Sequence, residues 1–305
     1  MTAALPTTIP GYLEQLRRSL AGADPALIQD ALYDAEEYLR SELAAQPQRT
    51  EAEVIAVVAS SYGAPDEVVD IYRDTETTVQ TALRLPPPKQ PRSLPGRLFG
   101  VFVDPHAYGA LFYMLLSLLT GTFYFTWVVT GFSLSLGLAI TLIGIPLFVL
   151  FIASVRVLAL LEGRIVETML GERMPRRPVH AGPPCGWLER IGAMLTDPRT
   201  WVTSAYFLLT LPLGTLYFSL AVTLMSLAVC MLAFPVLLWL GIGSLGNWGT
   251  LQIDVFGHDL LTSTPGQVFC MLTGAVMIVA TLHLARFIDR LHGRLAKHLL
   301  VASEG

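Results

Sequence analysis

No aspartate, glutamate, lysine or arginine occurs between His106 and Val155, between Thr200 and Ile253, or between Leu260 and Ala285. Each stretch exceeds the ~20 apolar residues that span hydrocarbon. Charged residues are 14% of 305, against 53% hydrophobic and a mean hydropathy of +0.55, a balance that excludes an ordinary soluble enzyme. Ion-coupled transporters need intramembrane carboxylates or amines, so their absence weighs against that class. Cysteine is scarce too: Cys185, Cys230 and Cys270 give no disulfide framework. The six histidines lack ligand spacing, so neither metal nor cofactor is expected. GIGSLG at 241–246 lacks the GxSxG spacing and no HExxH occurs, so no enzyme is expected. The first 80 residues hold no apolar core of a signal peptide, which keeps the N-terminus cytosolic.

What the chain does contain is a repeated passage. DPHAYGALFYMLLSLLTGTFYFTWVVTG at 104–131 and DPRTWVTSAYFLLTLPLGTLYFSLAVTL at 197–224 align at a constant offset of 93, matching Asp104 to Asp197, Tyr113 to Tyr206 and Gly121 to Gly214. Further on, Arg156, Leu161, Gly163 and Arg164 match Arg286, Leu291, Gly293 and Arg294 at an offset of 130. The offsets differ by 37 residues, an insertion falling between about 225 and 266. This pattern predicts a duplicated membrane unit.

The expected fold is all-α: a small soluble four-helix bundle at 1–84, a proline-rich connector at 85–97, and a polytopic membrane domain at 98–300. The membrane domain comprises two parallel repeats, 98–174 and 190–300. In the bundle, Asp24-Pro25 caps the second helix and Thr50 with Glu53 forms a capping box for the third. The inward face of that third helix is expected at Val54, Val57 and Val58, and Tyr62-Gly63 ends it. The first span runs out along 105–130 and returns along 134–158, followed by an interfacial helix with apolar Leu161 and polar Glu162, Glu167 on opposite sides. Arginines before and after the hairpin mark both ends as cytosolic. Within 224–243, Pro235, Gly241 and Gly243 suggest a broken or re-entrant segment, because a fifth span would push the basic C-terminus outside. Four complete spans, with both termini cytosolic, is the topology this favours.

Two resemblances follow from these residues. YLEQLRRSL, DALYDAEEYLRSEL and YGAPDEVVDIYR, within residues 10–75, resemble the HAAS-type signalling domain of bacterial membrane proteins. That resemblance implies a relay module associated with a PadR-type transcriptional regulator. DPRTWVTSAYFLLTLPLGTLYF at 197–218 and IGIPLFVLFIASVRVLALLEGRI at 143–165 resemble the sensor domain found ahead of many bacterial histidine kinases. The residues after 300 are only VASEG, so no kinase is expected and output passes through another protein.

The bundle holds 14 acidic and 6 basic residues, a net charge of −8 that disfavours direct nucleic-acid binding. Asp34, Glu36, Glu37, Asp66, Asp70 and Asp74 form either a docking face for a basic partner or a solvated surface. Tyr113, Thr122, Tyr124 and Thr130, repeated as Tyr206, Thr215, Tyr217 and Thr223, either line a ligand cleft or bond across helices and to their own backbone. His283, in the last span, either titrates there or snorkels to the interface beside Arg286. The leading expectation is a non-catalytic sensor of the bacterial inner membrane, in contact with lipid, coupled to a cytosolic regulatory protein, with a homo-oligomer left open. The alternative is a membrane subunit of a transporter or efflux assembly.

Overall fold

The computed structural model describes residues 6–61, 65–83, 100–141, 143–177, 192, 196–240, 254–255, 258–259 and 263–301. Among them the architecture is all-helical apart from one two-residue antiparallel pair, Asp254–Val255 with His258–Asp259. Four helices open the chain: α1 (Ile9–Ser19), α2 (Pro25–Ala45), α3 (Glu51–Ser61) and α4 (Pro65–Leu83). Their starts are written locally. The Asp24 carboxylate accepts from Ala26 N at 2.9 Å, and Thr50 and Glu53 exchange hydrogen bonds at 2.9 and 3.4 Å. Tyr12, Leu16, Leu20, Leu32, Leu39, Ile55 and Val68 form the centre of one apolar core.

α3 buries Val54, Ile55 and Val58, while Val57 is exposed, which corrects the expected face. At 100° per residue the buried arc is centred on Val58 and leaves Val57 at its edge. The expected stop at Tyr62-Gly63 lies outside the described residues.

Four long helices follow, after a 3-10 turn at Gly100–Val103: α5 (Pro105–Gly137), α6 (Gly144–Leu170), α7 (Pro198–Trp239) and α8 (Thr264–Leu300). All four are long and apolar enough to cross a membrane. α5 and α7 begin alike, with Asp104 and Asp197 accepting from the N–H two residues on, at 3.0 and 3.1 Å, and proline in the first helical position. Leu119, Leu136, Leu150, Leu216, Leu272 and Val276 stand exposed along these helices, a surface suited to lipid and not to water.

Two expectations are corrected here. The stretch from Leu224 is not re-entrant up to Trp239: α7 continues unbroken through Pro212 and Pro235. α7 has 42 residues against 33 in α5, and α8 has 37 against 27 in α6, so about half of the insertion extends the two helices. Residues 241–243 lie outside the described ones. Likewise no separate interfacial helix follows residue 158, because α6 runs on to Leu170 and stops at Gly171, whose φ of 72° is a left-handed cap. On this stretch Leu161 is exposed while Glu162 and Glu167 are buried, the reverse of the expected division.

The chain forms two compact units. The first gathers Met1–Pro86, Trp127–Tyr206 and Gly293–Gly305; the second gathers Pro87–Thr126 and Phe207–His292. Each draws on both halves of the repeated sequence.

Candidate functional site

In the first unit the glycine cap at Gly171 frees the chain to turn, and residues 173–177 run against α2. Asp30 receives them. Its carboxylate accepts from the backbone N–H groups of Arg176 and Arg177 at 2.7 and 2.8 Å and from Arg173 Nη2 at 3.1 Å. Burial pushes this carboxyl above its ordinary value, against the lowering effect of those N–H groups and of Arg173. Glu167, only 2% exposed, accepts from Arg164, Arg173 and Arg176 at 2.8, 3.4 and 3.1 Å. Arg173 thus bridges the membrane helix α6 and the bundle helix α2. Beside it, Gln29 Nε2 donates to Arg177 O at 2.8 Å, and Arg177 Nε lies 3.0 Å from Asp34 Oδ1 without hydrogen-bond alignment. The Arg177 guanidinium sits 5.7 Å over the Tyr33 ring. Lys297, near the end of α8, donates to Asp24 at 2.6 Å. Ion pairs as buried as those of Arg173 with Asp30 and Glu167 add little net stability, yet losing one partner strands the rest.

In the same unit Arg156 Nη2 donates to Asp197 at 3.0 Å and to Thr200 at 3.3 Å, and Tyr206 donates to the buried Glu162 at 3.3 Å. A cavity of about 110 Å³ opens beside Arg156, Asp197 and Thr200.

The second unit makes the offset-matched contacts. Asp104 pairs with Arg286, where Asp197 pairs with Arg156. Tyr113 bonds His292 at 2.6 Å, where Tyr206 bonds Glu162. Tyr217 approaches the other ring nitrogen of the buried His292 at 3.5 Å, closing a three-residue polar cluster. α5 and α7 approach closely through Gly121 against the Thr210 carbonyl and Gly214 against the Ser117 carbonyl. Only hydrogen in place of a side chain permits that approach.

Residues 113–300, from α5 to the end of α8, match the family model named Sensor, described as "Putative sensor". The chain belongs to the Sensor family. Neither a curated protein nor a solved structure matches it. The bundle and the first turns of α5 lie outside the matched Sensor region, whereas Glu167, Arg173 and the cavity-lining Arg156 and Asp197 lie inside it.

Within the Sensor region the tyrosines and threonines singled out by sequence part company. Tyr113 and Tyr217 meet at His292, Tyr124 stacks on Phe207 at 4.5 Å, and Tyr206 bonds Glu162; all four are buried. Thr122, Thr130, Thr215 and Thr223 are exposed and do not join them. Thr122 and Thr215 donate to their own helix, to Leu118 O and Leu211 O at 2.6 and 2.9 Å. Of the acidic face, Glu37, Asp70 and Asp74 are exposed, Glu36 is buried in a pair with Arg40, and Asp34 faces Arg177. The Asp66 side chain lies outside what is described.

Sequence reasoning missed Asp30, Gln29, Glu162, Glu167 and His292. A signal existed for the close helix approach, since Ser117 and Gly121, like Thr210 and Gly214, have the small-xxx-small spacing. For Asp30 the only signal was charge: an acidic α2 and an arginine-rich 173–177 in one chain are complementary.

Proposed function

We propose that this member of the Sensor family is a non-catalytic signal relay of the bacterial inner membrane, with both termini cytosolic, whose acidic bundle passes the state of the membrane helices to a cytosolic regulatory protein. The observation that carries the reading is the Asp30 carboxylate holding the backbone and side chains of residues 173–177 at the end of α6. A displacement of α6 pulls on Arg173, which is bonded to Glu167 on one side and Asp30 on the other. The bundle therefore has a held and a released arrangement, and a stimulus shifts the balance only by binding one better than the other. Release frees α2 from residues 173–177, so that the bundle presents its exposed Glu37, Asp70 and Asp74 to a basic partner. The resemblance of residues 10–75 to HAAS domains makes a PadR-type regulator the partner to test. The internal repeat supplies the membrane scaffold, as a duplicated unit.

The test is transcriptional. Asp30→Asn in the full-length chain weakens the hold and is expected to change the transcript profile of the host in the same direction as the natural stimulus. Combined charge removal at Glu37, Asp70 and Asp74 is expected to abolish that change. Unaltered transcription in both variants, at wild-type protein abundance, would overturn the relay reading.

A further inference from the structure

The cavity of the first unit is lined by residues whose matches in the second unit differ in ways that specify a ligand. Thr200 and Thr203 line it, and the residues matched to them at the offset of 93, Ala107 and Ala110, are buried in apolar clusters. Two hydroxyls thus stand where the matched contacts elsewhere are closed by methyl groups. The Thr203 hydroxyl bonds no described residue.

Its depth is fixed by the sequence. Arg156 is the first charge after the neutral stretch 106–155, and Asp197 and Arg199 are the last before the neutral stretch beginning at Thr200. All three line the cavity, which puts it at the headgroup level of a bilayer. Leu160, Met174 and Leu300 give it an apolar wall.

The charges are unbalanced. Arg156 is paired with Asp197, whereas the exposed Arg199 guanidinium makes no ion pair with a described residue, leaving one positive charge in excess. Gln29 adds a second demand. It is 8% exposed, its Nε2 is committed to Arg177 O, and its Oε1 is a buried acceptor without a partner. An unmet acceptor beside a cavity calls for a donor from a ligand.

We infer that this cavity binds the headgroup of an anionic phospholipid that carries hydroxyl donors, of the phosphatidylglycerol type. One phosphodiester charge matches the excess cation, with Arg199 and the Thr203 hydroxyl as donors to its oxygens. The headgroup hydroxyl donates to Gln29, and the glycerol backbone lies on the apolar wall. A choline headgroup has no donor for Gln29. An ethanolamine headgroup has one but brings an ammonium into a cavity already in positive excess. The inference deepens the relay reading, because Gln29 is bonded to the same 173–177 segment that Asp30 holds.

The experiment uses the full-length protein in phosphatidylcholine nanodiscs doped with phosphatidylglycerol or phosphatidylethanolamine, with bound lipid counted by native mass spectrometry. Saturable retention of phosphatidylglycerol over both other lipids is expected. It should weaken about tenfold in Arg199→Gln and in Gln29→Leu, each of which removes one charged or buried hydrogen bond. Arg199 is exposed, so its variant tests binding even if Gln29→Leu disturbs folding; Arg49→Gln, on the bundle surface, should bind as wild type. Glycerophosphoglycerol added as competitor separates the sources: competition at similar concentration assigns the site to the free headgroup, and none assigns it to the lipid. Equal retention of phosphatidylglycerol and phosphatidylcholine, or wild-type retention in Arg199→Gln, overturns the inference. Either result leaves the Asp30 transcription test standing, so the two readings fail separately.

Discussion

A single methyl group placed on Gly214 should force α5 and α7 apart. It would fall on the Ser117 carbonyl, 2.7 Å from the carbonyl carbon, and a methyl on Gly121 would lie 2.6 Å from the Thr210 carbonyl oxygen. Both obstacles are backbone, which cannot rotate out of the way as a side chain can. Ordinary contact begins at 3.4 Å, so the helices would have to part by about 0.8 Å at Gly121 and by more at Gly214, where the Ser117 carbonyl oxygen lies closer still. Overpacking of that kind costs about 1–3 kcal/mol, and separation also loosens the packing around Tyr124 on Phe207 and around Met114 with Tyr217. Gly137 is the internal control, because nothing lies within 4 Å of the position its methyl would take. There alanine should be neutral or should stabilise by up to about 1 kcal/mol through helix propensity. Thermal unfolding of the three variants in one detergent is therefore expected to place Gly214→Ala and Gly121→Ala below wild type and Gly137→Ala at or above it. If Gly214→Ala melts with Gly137→Ala, the close approach of α5 and α7 is wrong.

Asp30→Ala strands two N–H groups and Arg173, at a cost of about 3–5 kcal/mol; amide exchange at Arg176 and Arg177 should accelerate at least tenfold, and unchanged exchange would refute the hold. The Thr50 N–H and hydroxyl hold the exposed Glu53 carboxyl below its ordinary value, so its capping contribution is complete above about pH 4.5 and disappears as the pH falls through the lowered value. Exchange at the first turn of α3 should therefore rise selectively in acid, over and above the intrinsic trend, and should lose that dependence in Glu53→Gln. Tyr113→Phe deletes the 2.6 Å bond to buried His292 and should cost about 1–3 kcal/mol in thermal unfolding, whereas Thr122→Val, exposed and bonded to its own helix, should cost little; equal effects would remove the distinction between buried tyrosines and exposed threonines.

The features legible in sequence are those decided within a few residues. Charge-free stretches mark the four long helices because burying a charge in hydrocarbon is costly whatever lies beside it, and Asp-Pro marks two helix starts because the cap acts over one turn. What was not legible depends on residues far along the chain. Glu162 and Glu167 look like a polar, outward face until Tyr206 and the arginines at 173 and 176 supply their partners. Pro235 looks like a break because its cost is local, while the packing that lets α7 continue is not. His283 drew attention as the histidine inside the last charge-free stretch, yet the histidine bonded to two tyrosines is His292, which lies 179 and 75 residues from them in sequence.

The offset-matched contacts separate scaffold from site. Aspartate at the start of a long helix pairs with arginine on a returning helix in both units, Asp104 with Arg286 and Asp197 with Arg156. A tyrosine nine residues beyond each aspartate then meets the matched partner position, filled by His292 in one unit and Glu162 in the other. Contacts retained at both offsets hold helices in place and need only the same geometry twice. Chemistry that differs between matched positions cannot be explained by that common requirement. Thr200 and Thr203 against Ala107 and Ala110 is such a difference, and it falls where the first unit has a cavity and the second an apolar core. The same unit carries the Asp30 hold on residues 173–177, with Gln29 bonded to one and lining the other. The matched positions that differ in this way therefore fall in the unit that holds both the cavity and the 173–177 segment, which is where substitutions should separate ligand binding from helix packing.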